Sequence, residues 1–248
     1  MSVDVVITMG GVGKRFRDVG YDVPKYRILA RGRSLFEWSV CSLQSYIDAG
    51  SRFVFIVQQG DDARRFIHER ARALAIRACE VVEIPGLTDG QATTAMHAAP
   101  ALSAPDAAVA IFNIDTHVAP HAMALSAVRG DGWVPCFTAP GDKWSFARVL
   151  PDGRIVELRE KQRISEFATL GLYYFRSFEM FSETYGACFA PGAALEAGEK
   201  FIAPMYNVMI ARGAEIYMHL VAPSDVVALG TPDDLLRFDP ESSPQRVI

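Results

Sequence analysis

The residues best equipped for chemistry open the chain. An apolar run ends at Met9 and is followed at once by Gly10-Gly11-Val12-Gly13-Lys14-Arg15-Phe16. Glycines at a strand's end let the backbone approach a ligand closely, and exposed N–H groups beside cations favour an anion. Downstream, Val23-Pro24-Lys25 places a second cation next to a proline, which stiffens its mount. Arg15, Lys25 and a run of free amides suit a polyanion. Much later, Phe112-Asn113-Ile114-Asp115 ends a strong strand pattern. A carboxylate there is a hard oxygen ligand of the kind Mg²⁺ takes alongside substrate phosphates. An aspartate at such a position also serves as an ordinary cap for the next turn.

The glycine spacing excludes two familiar phosphate loops. A P-loop needs G-x-x-x-x-G-K-[ST], and both the spacing and the hydroxyl are wrong here. A dinucleotide fingerprint needs a third glycine where Phe16 stands. A plain tight turn with surface cations is the remaining reading of the spacing alone.

These residues need elements to hold them. Val3–Met9, Phe53–Val57, Val81–Ile84 and Ala107–Ile114 read as strands. Between them, Ser34-Leu-Phe-Glu37 has the form of a capping box. Phe36, Val40, Leu43 and Ile47 follow at helical spacing up to a stop at Gly50, and Asp61–Ile76 and a segment from about Ala92 also read as helices. Strand–helix alternation of this kind predicts a parallel sheet with helices on both faces. In the second half, Phe146–Leu150 and Arg154–Leu158 flank Pro151-Asp152-Gly153 as a hairpin. Leu172–Phe175 and Glu215–Val221 read as strands, Phe178–Tyr185 and Pro204–Arg212 as helices. Val226–Leu229 then leads through Gly230 to Thr231-Pro232-Asp233-Asp234, a strong helix start. There is no repeat, low-complexity segment or linker, so one mixed α/β domain is expected.

The 248 residues carry a formal net charge of −4, and half of them are hydrophobic. That balance supplies a core and argues against a nucleic-acid polymer as partner. The four cysteines are widely separated with no C-x-x-C pair, which favours reduced thiols. No segment approaches a membrane span or a signal peptide core, so a cytoplasmic soluble protein is expected.

G-G-x-G-x-R-F at residues 10–16, with Pro24-Lys25 downstream, resembles the signature of the sugar nucleotidylyltransferases, or sugar-1-phosphate pyrophosphorylases. Those enzymes join a nucleoside triphosphate to a sugar 1-phosphate and release pyrophosphate. The resemblance continues in order through DGQATTA, FNID, ELREK, LGLYYF, GEKFIAPMYN and LGTPDDL, and so spans nearly the whole chain. It implies a single Rossmann-like domain of the nucleotide-diphospho-sugar transferase type, with a mixed, mostly parallel sheet flanked by helices. We expect that domain over residues 1–239 and a flexible tail over 240–248.

The resemblance also assigns roles. Arg15 holds the triphosphate and the departing pyrophosphate, and the backbone of Gly10, Gly11 and Gly13, with Lys14 beside it, closes against them. Lys25 bridges the phosphates of the two substrates, and Asp115 ligates Mg²⁺. Gly90 and Gln91 meet the nucleobase. Glu160 contacts sugar hydroxyls, Lys161 the sugar phosphate, and Glu199 the sugar, although Glu160 and Lys161 lie in a charge-rich run of the sort that is usually solvated. One departure stands out: similar enzymes carry a second metal-binding aspartate two residues before Gly230-Thr231, and here that position is Ala228. Asp225 is nearby, but an offset of three along a strand points it to the opposite face.

The expected function is therefore nucleotidyl transfer from an NTP to a sugar 1-phosphate with Mg²⁺, giving an NDP-sugar for surface polysaccharide, with homo-oligomerisation left open. The alternatives are a cytidylyltransferase for a non-sugar phosphate such as phosphocholine, and a non-catalytic nucleotide-sugar-binding protein, which Ala228 motivates. A glycosyltransferase generally carries D-x-D, whereas this chain has Asn113-Ile114-Asp115.

Overall fold

Short runs of β-branched and aromatic residues pair side by side here because their backbone groups have no other partners once buried. The computed structural model describes residues 3–60 and 62–248. Its first half runs β1 (Val3–Thr8), α1 (Lys14–Arg17), β2 (Leu29–Ala30), β3 (Arg33–Ser34), α2 (Leu35–Cys41), α3 (Gln44–Asp48), β4 (Arg52–Gln58), α4 (Ala63–Ala73), β5 (Ala78–Ile84), α5 (Gln91–Met96), β6 (Ala108–Asn113) and β7 (Thr116–Val118). The second half adds β8 (Gly132–Thr138), β9 (Ser145–Val149), β10 (Ile155–Glu160), β11 (Phe167–Thr169), β12 (Leu172–Phe175), α6 (Phe178–Cys188), α7 (Met205–Ala211), β13 (Ile216–Leu220), β14 (Val226–Ala228) and α8 (Pro232–Phe238).

Ten strands form one mixed sheet in the order β10-β9-β11-β8-β12-β6-β1-β4-β5, with β13 pairing β8 off that path. The core β6-β1-β4-β5 is parallel, as the strand–helix alternation predicts, with Val5 opposite Phe53 and Ala110. β12 runs antiparallel to both β6 and β8, and β9, β10 and β11 continue antiparallel. Alternate residues divide between the two faces. Val5, Ile7, Phe53, Phe55 and Phe112 pack with Phe36, Val40 and Phe66 on one side. Val6, Val54, Ile56, Val109 and Ile111 pack with Phe181, Tyr206 and Met209 on the other. The architecture is thus a Rossmann-like α/β sandwich.

Most element limits follow the sequence reading, and the exceptions have local causes. The helix expected through Leu43 to Ile47 is split at Ser42. There the Ser42 hydroxyl accepts from the Val118 N–H at 2.9 Å, and the Ser39 hydroxyl donates to the Thr116 carbonyl at 2.6 Å. Side-chain bonds to β7 thus compete with continuation of the helix. The capping box itself forms: Ser34 accepts from the Glu37 N–H, and Glu37 accepts from the Ser34 N–H. The expected helix start at Asp61 lies outside the described residues. That helix stops three residues before Ile76, because Ala75 adopts φ 61° and the Ile76 N–H closes back to the Ala71 carbonyl.

β8 carries Pro135 inside the sheet, flanked by β11 and β12 and paired with β13. The proline still accepts at its carbonyl, from the Leu170 N–H at 2.9 Å, so its missing donor is tolerated. All four cysteines are unpaired thiols. No helix among the described residues is long and apolar enough to cross a membrane. Residues 240–248, expected as a tail, run back along Arg27–Leu29: the Leu29 N–H donates to the Arg246 carbonyl at 3.0 Å, and Ile28 bridges Val247.

Candidate active site

A cavity of about 450 Å³ opens at the carboxyl ends of β1 and β6, where a parallel sheet presents its strand termini. The glycine loop lies beside it, but of residues 10–16 only Arg15 lines the cavity; Gly10, Gly11 and Gly13 do not. Met9 closes the loop from the sheet side by donating its N–H to the Ile56 carbonyl at 2.8 Å, and the Gln58 amide donates to the Gly10 carbonyl. Gly13 turns with φ 62° into α1, and a side chain added there would sit 3.5 Å from the Cβ of Lys25. Phe16 is the anchor. It is 1% exposed and packs edge-on to Tyr21, in a separate cluster with Leu35, Leu229 and Leu235. Burying Phe16 leaves Arg15 at the cavity wall. The cations of the loop therefore divide: Arg15 lines the cavity, while Lys14 pairs outward with Asp18 at 2.9 Å and does not line it.

Pro24 begins a single 3₁₀ turn that carries Lys25. The Lys25 ammonium lies 3.4 Å from Asp115 Oδ2, with side chains 17% and 37% exposed. Asp115 lies two residues past the end of β6 and lines the cavity. Its own carbonyl accepts from the Leu229 N–H at 2.8 Å, which ties it to the β14–α8 turn. Gly230 completes that turn, and a Cβ there would meet Asp115 Oδ2 at 3.5 Å. Arg15 and Asp115 thus line one cleft, and Lys25, which does not itself line it, pairs with Asp115 at its wall.

Ala228 lines the cavity too, so the missing carboxylate leaves a methyl group in that wall. Asp225 does not replace it. It sits in a 3₁₀ turn before β14, 3.9 Å from His121. Asp142, Glu160 and Asp234 also line the cavity, but Asp115, partly open to solvent beside Lys25, is the carboxylate placed to hold a divalent cation that would draw most of its ligands from water and substrate oxygens.

The far wall comes from the second half of the sheet. Glu160, at the end of β10, is only 7% exposed. The Ser145 hydroxyl donates to its Oε2, and Ser145 in turn shares a hydrogen bond with the Tyr173 hydroxyl at 3.4 Å. Burial holds the Glu160 carboxyl above its ordinary range, partly offset by Ser145 and Lys161. Lys161 takes φ 51°, an unusual conformation for a residue with a side chain, and its N–H donates to the Trp144 carbonyl at 3.0 Å. Its ammonium lies 4.7 Å from the centre of the Phe201 ring, and Trp144, Phe201 and Lys161 all line the cavity.

The turn that carries Gly90 and Gln91 is brought in only partly. Gln91 lines the cavity and donates to the Thr8 hydroxyl at 3.3 Å. Gly90 is set back, and its lack of a side chain has another cause: a Cβ there would lie 2.5 Å from both N and O of Lys200. Glu199 is exposed and does not line the cavity.

Several lining residues carry no role in the sequence reading. Asn113 stands two residues before Asp115, its amide held against Gly171, and its buried Oδ1 has no hydrogen-bond partner among the described residues. A polar atom buried without a partner beside a cavity is poised for a ligand. Trp144, Lys143 and Asp234 also line the wall, the last two paired at 3.7 Å across it. Asn113 was visible in FNID and Asp234 in LGTPDDL, where it reads only as a helix-start acid, whereas Trp144 has no local signal and arrives only with the hairpin.

With this geometry in hand, solved structures can be compared. The chain is similar to the nucleoside-diphosphate-sugar pyrophosphorylase from Vibrio cholerae RC9 at 35% identity and a TM-score of 0.88, covering 94% of this chain and 98% of that one. The chain belongs to the sugar nucleotidylyltransferase family. It is accordingly a nucleotidyltransferase. The fold extends to more distant relatives. The inositol-1-phosphate CTP transferase from T. maritima gives a TM-score of 0.75 at 18% identity, over 94% of this chain and 91% of that one. A putative glucose-1-phosphate thymidylyltransferase from Bacillus anthracis, in complex with a sucrose, gives 0.75 at 17% identity, over 96% and 94%. No protein-family model and no curated protein matches the chain. The family membership agrees with the signature at residues 10–16 and with the nucleotide-diphospho-sugar transferase fold.

Proposed function

We propose that this nucleotidyltransferase joins a nucleoside triphosphate to a sugar 1-phosphate and releases pyrophosphate. The observation that carries the reading is the pairing of Lys25 with Asp115 at 3.4 Å at the wall of the cleft that Arg15 also lines. An oxygen of the acceptor phosphate forms a bond to the α-phosphorus of the NTP. The bond from that phosphorus to the bridging oxygen breaks, and pyrophosphate leaves with the electron pair. The attacking oxygen is already anionic at neutral pH, so no general base is needed. The protein's task is alignment and charge stabilisation.

Arg15 and the amides of Gly10, Gly11 and Gly13 hold the β- and γ-phosphates, and Lys25 sits where the two substrates' phosphates meet. Asp115 would hold Mg²⁺, which when bound neutralises phosphate charge. Gln91 faces the base. At the other end, Lys161 takes the acceptor phosphate, and Glu160 and Asn113 accept from or donate to acceptor hydroxyls. Trp144 and Phe201 supply apolar faces for the ring. An NDP-sugar is an activated glycosyl donor, and on that chemistry we assign the product to polysaccharide supply in the cytoplasm.

A second reading, cytidylyl transfer to a non-sugar phosphate, draws on the likeness to a protein described as an inositol-1-phosphate CTP transferase. Both readings meet one experiment. Purified protein is incubated with Mg²⁺ and each of ATP, CTP, GTP, UTP and dTTP against a panel of sugar 1-phosphates, inositol 1-phosphate and phosphocholine. Pyrophosphate and the matching NDP-sugar from a sugar 1-phosphate support the leading reading. Turnover only with CTP and a non-sugar phosphate supports the second. Nucleotide binding with no pyrophosphate from any pair identifies a non-catalytic binding protein and overturns both.

A further inference from the structure

The segment before α7 has little structure of its own. Residues 190–199 are mostly exposed, with positive φ at Gly192, Ala197 and Gly198. Two fixed points hold it. Glu196 accepts from the Glu160 N–H at 2.8 Å and from Arg159 at 2.9 Å, which ties it to β10. The second point is Lys200, which is clipped to the turn at residues 89–92. Its N–H donates to the Asp89 carbonyl at 2.9 Å, and its carbonyl accepts from the Ala92 N–H at 3.0 Å. The two chains lie so close that Gly90 has no room for a Cβ.

The side chain reinforces the clip. Lys200 Nζ lies 2.7 Å from the Asp89 carboxylate and donates to the Tyr185 hydroxyl at 3.2 Å. Tyr185 shares a hydrogen bond with Thr93 at 2.8 Å, and the Thr93 hydroxyl donates back to Asp89. Lys200 and Thr93 hold the Asp89 carboxyl below its usual range. The neighbours of the clip matter most. Gln91 lines the nucleotide side of the cavity, while Phe201 and Ile202 line the acceptor side, where Phe201 meets Lys161.

We infer that Lys200 is a positioning residue that couples the two substrate sites: ordering of the 89–92 turn by a nucleotide orders residues 196–202 and raises affinity for the acceptor. The inference rests on the nucleotidyl-transfer reading proposed above. A weakly structured segment held by few bonds is the kind that ligand binding orders, and linkage makes the effect reciprocal. Lys200 touches neither substrate in this scheme. It acts through Gln91 and Phe201.

The test is hydrogen–deuterium exchange on the full chain with Mg²⁺ and each of the five common nucleoside triphosphates, without acceptor. In the parent protein a bound nucleotide is expected to slow exchange in peptides covering both 88–96 and 196–203. In Lys200→Met, which keeps the aliphatic contact, protection at 88–96 should persist while that at 196–203 falls at least threefold. Lys200→Arg should restore it. Gly90→Ala, which wedges the two chains apart, should abolish it. In steady state, Lys200→Met should raise KM for the acceptor about tenfold and change kcat at saturation less than threefold.

Protection at 88–96 alone in the parent, or equal protection of 196–203 in the parent and in Lys200→Met, overturns the coupling and leaves the nucleotide site standing. If no nucleotide protects 88–96, the nucleotide site itself is wrong and the coupling falls with it.

Discussion

Lys25→Ala is the sharpest perturbation of the phosphate cradle, because it removes the ammonium and its stem while leaving the backbone of the 3₁₀ turn unchanged. Its partner, Asp115 Oδ2, is 3.4 Å away. Two unit charges at that distance attract by about 5 kcal/mol at an effective dielectric of about 20. With Asp115 37% exposed, solvent screens most of this, and such pairs contribute at most about 1 kcal/mol to stability. For a chain of this size that is a melting shift of about 2–4 °C.

Catalysis should suffer far more. A preorganised donor facing charge that develops in the transition state is worth about 2.7–4 kcal/mol, so kcat should fall about a hundredfold or more. Nucleotide affinity should fall less than tenfold, since Arg15 and the loop amides remain. Continuous pyrophosphate detection gives kcat, calorimetry with the nucleotide gives affinity, and thermal melting checks the fold. A kcat within tenfold of the parent, or an affinity loss that accounts for the whole defect, refutes the reasoning and makes Lys25 a simple anchor.

Gly171→Ala forces a Cβ to within 2.3–2.6 Å of the Asn113 amide at φ 77°, so it should cost about 2–4 kcal/mol from strain and overlap and should raise KM for the acceptor; unchanged melting and KM would remove Asn113 from the site. Glu160→Gln tests the buried carboxyl by pH. Its folded pKa is raised, so the parent is favoured below that pKa and loses stability as pH rises through it, whereas the amide does not titrate. The melting temperature of the variant relative to the parent should therefore climb from acid to neutral pH, and a flat difference contradicts the assignment. Ser34→Ala removes a capping box whose residues do not line the cavity and should cost about 1 kcal/mol with turnover unchanged within about twofold, as thermal melting and the pyrophosphate assay would report.

The parallel half of the fold was legible because its strands are buried on both faces and read as nearly continuous apolar runs, as in residues 5–7 and 53–57. Caps and turns were equally plain: Ser34 with Glu37, Gly153 in the hairpin, Thr231 before Pro232. β8 was hidden by Pro135, since a proline argues against a central strand unless its neighbours use only the carbonyl. Of the residues named from motifs, Arg15, Asp115, Gln91, Glu160 and Lys161 line the cleft and Lys25 pairs with Asp115 at its wall, whereas Gly10, Gly11 and Gly13 do not line it. Lys14 and Glu199 sit in the same motifs but point elsewhere, which spacing alone does not reveal. The resemblance set Gly90 against a nucleobase, whereas the group that crowds it within the chain is the Lys200 backbone. Trp144 enters only when the hairpin folds over the sheet, and Asp234, legible as a helix-start acid, reaches the cavity only when α8 packs beside it.

The most direct test of the cradle is a crystal structure of the protein with an α,β-methylene analogue of its preferred nucleotide and Mn²⁺, whose anomalous signal marks the ion. The triphosphate should run along the amides of residues 10–13 between Arg15 and Lys25, with manganese on Asp115. A nucleotide bound away from that loop, or an ion held by other residues, contradicts the account.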